Sequence, residues 1–167
     1  MTPQEYFVKT CYPFAKQVEK EFGIPAVFSL GQSALETGWG KTIVGNMMFG
    51  VKDTDGINGN EQLLTTTEYH NSPRVKYPVI FTIVEVVKGK RWKYKVKDWF
   101  RKYPTPYESF RDHAIFLQSN KRYREALTYR YMPYGFAKAV CDAGYATAPD
   151  YWKNLESVMK RVESLIK

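Results

Sequence analysis

The stretch Gln32-Ser33-Ala34-Leu35-Glu36-Thr37-Gly38-Trp39-Gly40, followed after a short loop by Asn46-Met47-Met48-Phe49-Gly50-Val51-Lys52, organises the reading of this chain. Ahead of it, Pro25-Ala26-Val27-Phe28-Ser29-Leu30 places a proline suited to a first helical turn, and Gly38 and Gly40 supply the backbone freedom that ends a helix. Glu36 is therefore expected on a last helical turn beside Trp39. There the helix dipole and a water-excluding indole would both favour the protonated carboxyl. A carboxyl group kept neutral near neutral pH is what general-acid catalysis needs. The same local sequence also fits an ordinary surface glutamate.

Outward from this stretch, Thr2-Pro3-Gln4-Glu5 reads as a capping box with proline at the first helical position. Phe7, Cys11, Phe14, Ala15, Val18 and Phe22 follow at helical spacing, and Gly23 ends the helix. The short connection to the next helix predicts that the two pack as neighbours. Residues 41–60 are rich in Gly, Asn, Asp and Thr and read as loop, with Asn46 to Lys52 packed because Met48, Phe49 and Val51 need cover. Asp53, Asp55, Gly56 and Asn58 invite comparison with a calcium loop, but the glycine and glutamate spacing of an EF-hand is missing.

Thr65-Thr66-Thr67-Glu68-Tyr69 is β-branched and aromatic, which favours a strand. Val79 to Val87 and Arg91 to Tyr103, joined through Lys88-Gly89-Lys90, predict a hairpin. Trp92, Tyr94 and Val96 form its apolar face and Arg91, Lys93, Lys95 and Lys97 its basic face. That lysine row suits either a nucleic-acid patch or a solvated face that keeps an edge from pairing. Beyond Pro104 and Pro106 the chain reads as helical. Ser109 is expected to cap Phe110 to Leu117, Ser119 to cap a helix through Tyr123, Ala126 and Leu127, and Pro133 to start one through Phe136, Ala137, Val140 and Cys141. The last helix carries Trp152, Leu155, Val158, Met159, Val162, Leu165 and Ile166 as a core stripe. Helices, a small sheet and helices again make an α+β chain, with a β lobe at about 61–103 inserted into a mainly helical single domain of residues 1–167 and a cleft expected between the lobes.

A chain of 167 residues can bury about two thirds of its unfolded surface in one core. Its net charge of +8 and its pI near 9.4 favour an anionic partner, whether nucleic acid, an acidic membrane or the bacterial wall. No apolar run approaches the roughly 20 residues needed to span a bilayer, so no membrane insertion is expected. Cys11 and Cys141 fall on apolar helix faces and are expected as free thiols. His70 and His113 fit no metal-ligand spacing, and neither a metal nor another cofactor is expected.

The A-L-E-T-G-W-G segment with its N-x-x-F-G-V-K sequel resembles the catalytic motif of the peptidoglycan-cleaving glucosaminidases of glycoside hydrolase family 73, found in autolysins, flagellar peptidoglycan hydrolases and phage lysins. The resemblance continues at Thr65 to Tyr69, at Tyr107-Glu108-Ser109-Phe110-Arg111-Asp112-His113 and at Gly144-Tyr145-Ala146-Thr147, in the same order and across most of the chain. It implies a lysozyme-like fold and an endo-β-N-acetylglucosaminidase with Glu36 as general acid, Glu68 as second carboxylate and Tyr145 orienting a substrate group. Trp39, Asn46, Phe49, Tyr69 and Thr147 would then contact the glycan. Glycosidic hydrolysis usually employs two carboxyl groups, and retaining, inverting and acetamido-assisted routes all remain open to this sequence.

The implied partner is a peptidoglycan glycan strand met by a monomer, not a nucleic acid. The implied location is outside the cell or in its envelope, after removal of a signal, or on a phage particle. A lytic transglycosylase, a wall-binding or adhesin module and a nucleic-acid binder are the competing functions. The chain departs from the family's usual Y-A-T-D-P at Ala148, which is expected at the N-cap of the last helix with Pro149 in its first turn.

Overall fold

The structure is a computed structural model that describes residues 1–166. Among them are α1 (Pro3–Phe22), α2 (Ala26–Thr37), β1 (Glu61–His70), β2 (Val79–Val87), β3 (Arg91–Arg101), α3 (Pro106–Ser119), α4 (Pro133–Asp142) and α5 (Tyr151–Leu165), with two 3-10 turns at Lys121–Tyr123 and Ala126–Tyr129. The chain divides into two compact units. One joins Met1–Phe49 to the chain from Tyr103 onward, and the other is Gly50–Lys102.

The helical unit is built around α2. Its mean composition is apolar, and Ala26, Phe28, Ser29, Leu30, Gly31, Gln32, Ser33, Ala34 and Thr37 are all buried, as befits a helix packed by α1, α4 and α5. Gly31 permits the approach of α5, because a Cβ there would lie 2.6 Å from Met159 Cγ. The expected capping box opens α1: the Glu5 amide donates to Thr2 Oγ1 at 3.2 Å and the Thr2 amide to Glu5 Oε2 at 2.7 Å. Gly23 then closes the helix in the left-handed region, at φ 72°. The entry to α2 differs from expectation. Pro25 is the N-cap, and a proline has no side-chain acceptor, so Glu19 of α1 reaches over and takes the Ala26 amide at 2.8 Å.

The C-terminal helices correct three expectations. First, α3 begins at Pro106 with Thr105 as N-cap, which leaves Ser109 buried inside the helix, where its hydroxyl accepts from the Met48 amide at 2.9 Å. Second, Asn120 rather than Ser119 caps the next segment through the Arg122 amide at 3.1 Å, and that segment makes two 3-10 turns instead of a helix. Third, α5 begins at Tyr151 with Asp150 at the N-cap. Ala148 lies a turn earlier and contributes its carbonyl to the Tyr151 amide at 3.1 Å, so it is not the cap. As expected, Pro133 starts α4, which buries Phe136, Ala137 and Val140, while α5 buries Leu155, Met159 and Val162.

The second unit holds an antiparallel sheet in the order β1-β3-β2. The expected hairpin is present as β2 and β3, and the strand expected at Thr65 to Tyr69 extends to β1 and pairs along its whole length with β3, from Glu61 opposite Arg101 to His70 opposite Trp92, which puts β3 at the centre. Tyr94 and Val96 are fully buried while Arg91, Lys93 and Lys95 are exposed, in keeping with the expected two-faced strand. The unit starts as early as Gly50 because Lys52 bridges to Phe100 and the Arg101 amide bonds to the Val51 carbonyl at 2.9 Å. In the loop before β1, Asp55 meets Arg101 at 3.5 Å and Asn58 at 3.1 Å, while Glu61 caps the Asn58 and Gly59 amides.

Candidate active site

The end of α2 is shaped by its own side chains. Thr37 Oγ1 donates back to the Ser33 carbonyl at 2.6 Å and accepts from the Gly40 amide at 3.0 Å, folding the chain over itself. Gly38, Trp39 and Gly40 all take positive φ, at 58°, 62° and 86°. For the two glycines this costs little, whereas for Trp39 it carries a strain of about 1–2 kcal/mol. The strain is offset by packing: the indole meets Phe7 of α1 edge to face, with ring centroids 6.0 Å apart. Glu36, one residue before the turn, is exposed. The water exclusion expected around Glu36 is thus not what the structure presents, since its side chain is exposed while the Trp39 indole packs on Phe7.

The loop after this turn is pinned from two sides. Ser33 Oγ donates to the Met48 carbonyl at 2.8 Å, and the Met48 amide donates to Ser109 Oγ of α3. Asn46, itself at φ 54°, directs its amide nitrogen to the Tyr103 and Pro104 carbonyls, both at 3.0 Å. This pinning presses Phe49 into the interior, where it is 2% exposed and stacks on the His113 ring at 3.8 Å and 4°. Phe49 is consequently a wall behind another side chain, not an open platform for a sugar.

Across from α2, the segment before α5 brings Tyr145 to Glu36. The Tyr145 hydroxyl donates to Glu36 Oε1 at 3.4 Å and lies 3.3 Å from His113 Nε2. Its ring stacks on Tyr151 at 5.9 Å and 28°. Gln32 Nε2, one turn up α2 from Glu36, donates to the Tyr151 hydroxyl at 3.0 Å. Burial pushes the phenols of Tyr145 and Tyr151 well above the usual tyrosine range, so both stay protonated. Thr147 is exposed in the same segment. Glu36 and Tyr145 are thereby brought together within the helical unit, on a backing of Phe49, His113, Tyr151 and Gln32.

In the sheet-bearing unit, Glu68 sits on β1 opposite Tyr94. Lys52 Nζ donates to Glu68 Oε1 at 2.6 Å and to Asp98 Oδ2 at 2.7 Å, and Thr66 Oγ1 donates to the same Glu68 oxygen at 3.2 Å. Burial pulls the Lys52 ammonium down, but its bonds to Asp98 and Glu68 outweigh this and hold it above its ordinary range. The same ammonium lies 4.4 Å above the Phe100 ring. Tyr69, the next residue, is exposed under the Arg91 guanidinium at 4.8 Å. Successive strand residues face opposite ways, so Glu68 and Tyr69 serve different faces of the sheet and do not line one surface.

Four participants carried no assigned role in the sequence reading: His113, Lys52, Tyr151 and Gln32. A signal for His113 was present, since Phe110, His113, Ala114 and Leu117 are the buried stripe of α3 and a histidine on such a stripe must find a partner inside. Neither cysteine is paired in a disulfide. Burial pushes the Cys11 thiol up to about 12 and the Cys141 thiol to about 11, so both are inert.

A family model described as mannosyl-glycoprotein endo-beta-N-acetylglucosaminidase matches residues 12–164. The chain belongs to this glucosaminidase family. Peptidoglycan hydrolase FlgJ of Vibrio parahaemolyticus is 30% identical over 96% of this chain and 48% of its own length. Exo-glucosaminidase LytG of Bacillus subtilis is 28% identical over 96% of this chain and 52% of its own length. The chain thus spans about half the length of these curated relatives.

Among solved structures, the glycoside hydrolase domain of FlgJ from Salmonella typhimurium superposes with a TM-score of 0.75 at 26% identity, covering 99% of this chain and 91% of that one. The catalytic domain of the autolysin Auto from Listeria monocytogenes matches with a TM-score of 0.74 over 99% of this chain and 88% of that one, and at 21% identity it shows the fold alone. Among the described residues, five helices and a three-stranded antiparallel sheet make the chain an α+β protein of the lysozyme-like glycoside hydrolase class, α+β as the order of its elements led one to expect and lysozyme-like as the resemblance implied. Among the described residues no helix is long and apolar enough to cross a membrane.

Proposed function

We propose that this chain hydrolyses the β-1,4 bond that follows N-acetylglucosamine in peptidoglycan glycan strands, with Glu36 as the general acid. The observation that carries the reading is the exposed Glu36 carboxyl at the end of α2 with the Tyr145 hydroxyl on its Oε1. A polymer delivered from solvent must reach the acid, and an exposed carboxyl permits that. The bound strand then supplies the exclusion of water that the free protein lacks. Glu36 passes its proton to the glycosidic oxygen as the bond to the anomeric carbon breaks. Tyr145, protonated and aimed at the same carboxyl, orients the acetamido group or the attacking water. Glu68, ion-paired with Lys52 at 2.6 Å, is the candidate second carboxylate of this reading.

The substrate puts the site of action at the cell wall, and the net charge of +8 draws the protein to that anionic surface. Digestion of purified peptidoglycan, with the new chain ends identified by mass spectrometry, tests the reading. New reducing N-acetylglucosamine ends, absent with Glu36→Gln, are expected. Anhydro sugar ends would instead make it a lytic transglycosylase, and binding without any cleavage would make it a wall-binding module.

A further inference from the structure

Resting on the reading that Tyr145 works beside Glu36, we propose that His113 is a positioning residue: its Nε2–H, donated to the Tyr145 hydroxyl oxygen, turns the phenolic hydrogen toward Glu36. A hydroxyl has one hydrogen. The Tyr145 oxygen stands 3.3 Å from His113 Nε2 and 3.4 Å from Glu36 Oε1, so only one of these contacts can use that hydrogen. If the imidazole carries its proton on Nε2, both contacts are satisfied, with histidine donating to tyrosine and tyrosine to glutamate. If the proton is on Nδ1, the tyrosine donates to the histidine and its hydrogen is turned away from Glu36.

The surroundings select the first arrangement. His113 Nδ1 is buried and has no hydrogen-bond partner among the described residues. A bare lone pair there costs less than an orphaned N–H, which is among the rarest defects of a folded interior. The ring plane is held on both faces, with Phe49 flat against it at 3.8 Å and Phe28 at 6.2 Å and 30°, which keeps its edge toward Tyr145. Phe49 is in turn held edge-on by Phe110 at 5.5 Å and 90°. Burial also lowers the imidazole's basicity to about 3, so near neutral pH it is a neutral donor with a fixed tautomer and not a second cation beside the acid. The pinned loop 46–49 and helix α3 thus act at the site through Tyr145.

Nitrogen-15 NMR of the imidazole in the full chain reads the tautomer directly, without substrate. Protonated Nε2 and bare Nδ1 are expected at pH 7. Protonation at Nδ1, or an imidazolium, would overturn the proposal whatever the enzyme's activity. A kinetic arm uses soluble glycan fragments. His113→Phe keeps the stack and removes the donor, and it should lower kcat about 10-fold with KM within about 2-fold of the parent. His113→Gln, whose amide nitrogen can occupy the Nε2 position, should recover part of that loss. Adding His113→Phe to Tyr145→Phe should cost nothing further. Parent-like kcat in His113→Phe, equal losses in the Phe and Gln variants, or multiplicative losses in the double variant would each overturn it. Full activity of Glu36→Gln would instead remove Glu36 as the general acid and leave the tautomer result standing.

Discussion

Tyr145 Oη donates to Glu36 Oε1 at 3.4 Å, joining residues 109 positions apart. The bond is long for two oxygens, whose hydrogen bonds centre near 2.7–2.8 Å. Such a contact adds little to stability, yet it places a hydroxyl where charge and geometry change during proton transfer. Tyr145→Phe, which removes only this oxygen, should lower kcat by about 10-fold or more and leave KM and the melting temperature near the parent values. Kinetics indistinguishable from the parent would reduce Tyr145 to packing against Tyr151.

Glu36→Gln should abolish nearly all lysis, by roughly 100- to 10,000-fold, because the amide keeps the shape and cannot give up a proton. The position is exposed, so the fold and the affinity for cell-wall suspensions should persist. Turbidity loss of wall suspensions measures this, and activity within a few fold of the parent would remove Glu36 from the chemistry.

Lys52 neutralises two carboxylates at once, so its loss should do more than the loss of either partner. In Lys52→Met, Glu68 and Asp98 repel each other across the space the ammonium occupied. A lower melting temperature and a lower rate are both expected. Glu68→Gln should slow hydrolysis by about 10-fold or more if its carboxylate receives the water proton. Full activity in Glu68→Gln would show that the substrate's own acetamido group suffices.

His113 should make stability depend on pH below neutrality. Folded, its ring stays neutral down to about 3; unfolded, it takes up a proton near 6.5. Between those values the unfolded state binds the extra proton, so stability falls as pH drops, by up to about 1.4 kcal/mol per pH unit. Above 6.5 the group has no effect. Urea denaturation of parent and His113→Phe at several pH values should therefore show the parent losing stability toward acid relative to the variant, and a constant difference from pH 7 to pH 4 would contradict it.

Gly31→Ala tests the central packing. The added methyl carbon would sit 2.6 Å from Met159 Cγ and 3.6 Å from its Cα, so the side chain must move and α5 has little room to yield. A loss of about 1–3 kcal/mol is expected in denaturant titrations. Unchanged stability would mean that Met159 finds another rotamer at no cost.

The helix ends at Thr2, Gly23 and Gly38, the alternation in β3 and the stripes of α4 and α5 were legible in the chain because each depends on neighbours within a few residues. Glu36, Glu68 and Tyr145 were legible only as members of recurring motifs. What stayed hidden was set by partners far along the chain. Pro25 offers its helix no side-chain acceptor, so the cap came from Glu19. Ser109 looked like a cap and became a buried acceptor for Met48. Asp150, not Ala148, opens α5, since nearby oxygens and prolines leave several starts of similar local energy. Trp39 was read as the cover for Glu36, yet packing against Phe7 drew it to α1. His113 shows the division most plainly: its place on an apolar stripe is local information. Its role depends on Phe49 closing one face and Tyr145 meeting Nε2, contacts that exist only once segments 64 and 32 residues away have folded against it.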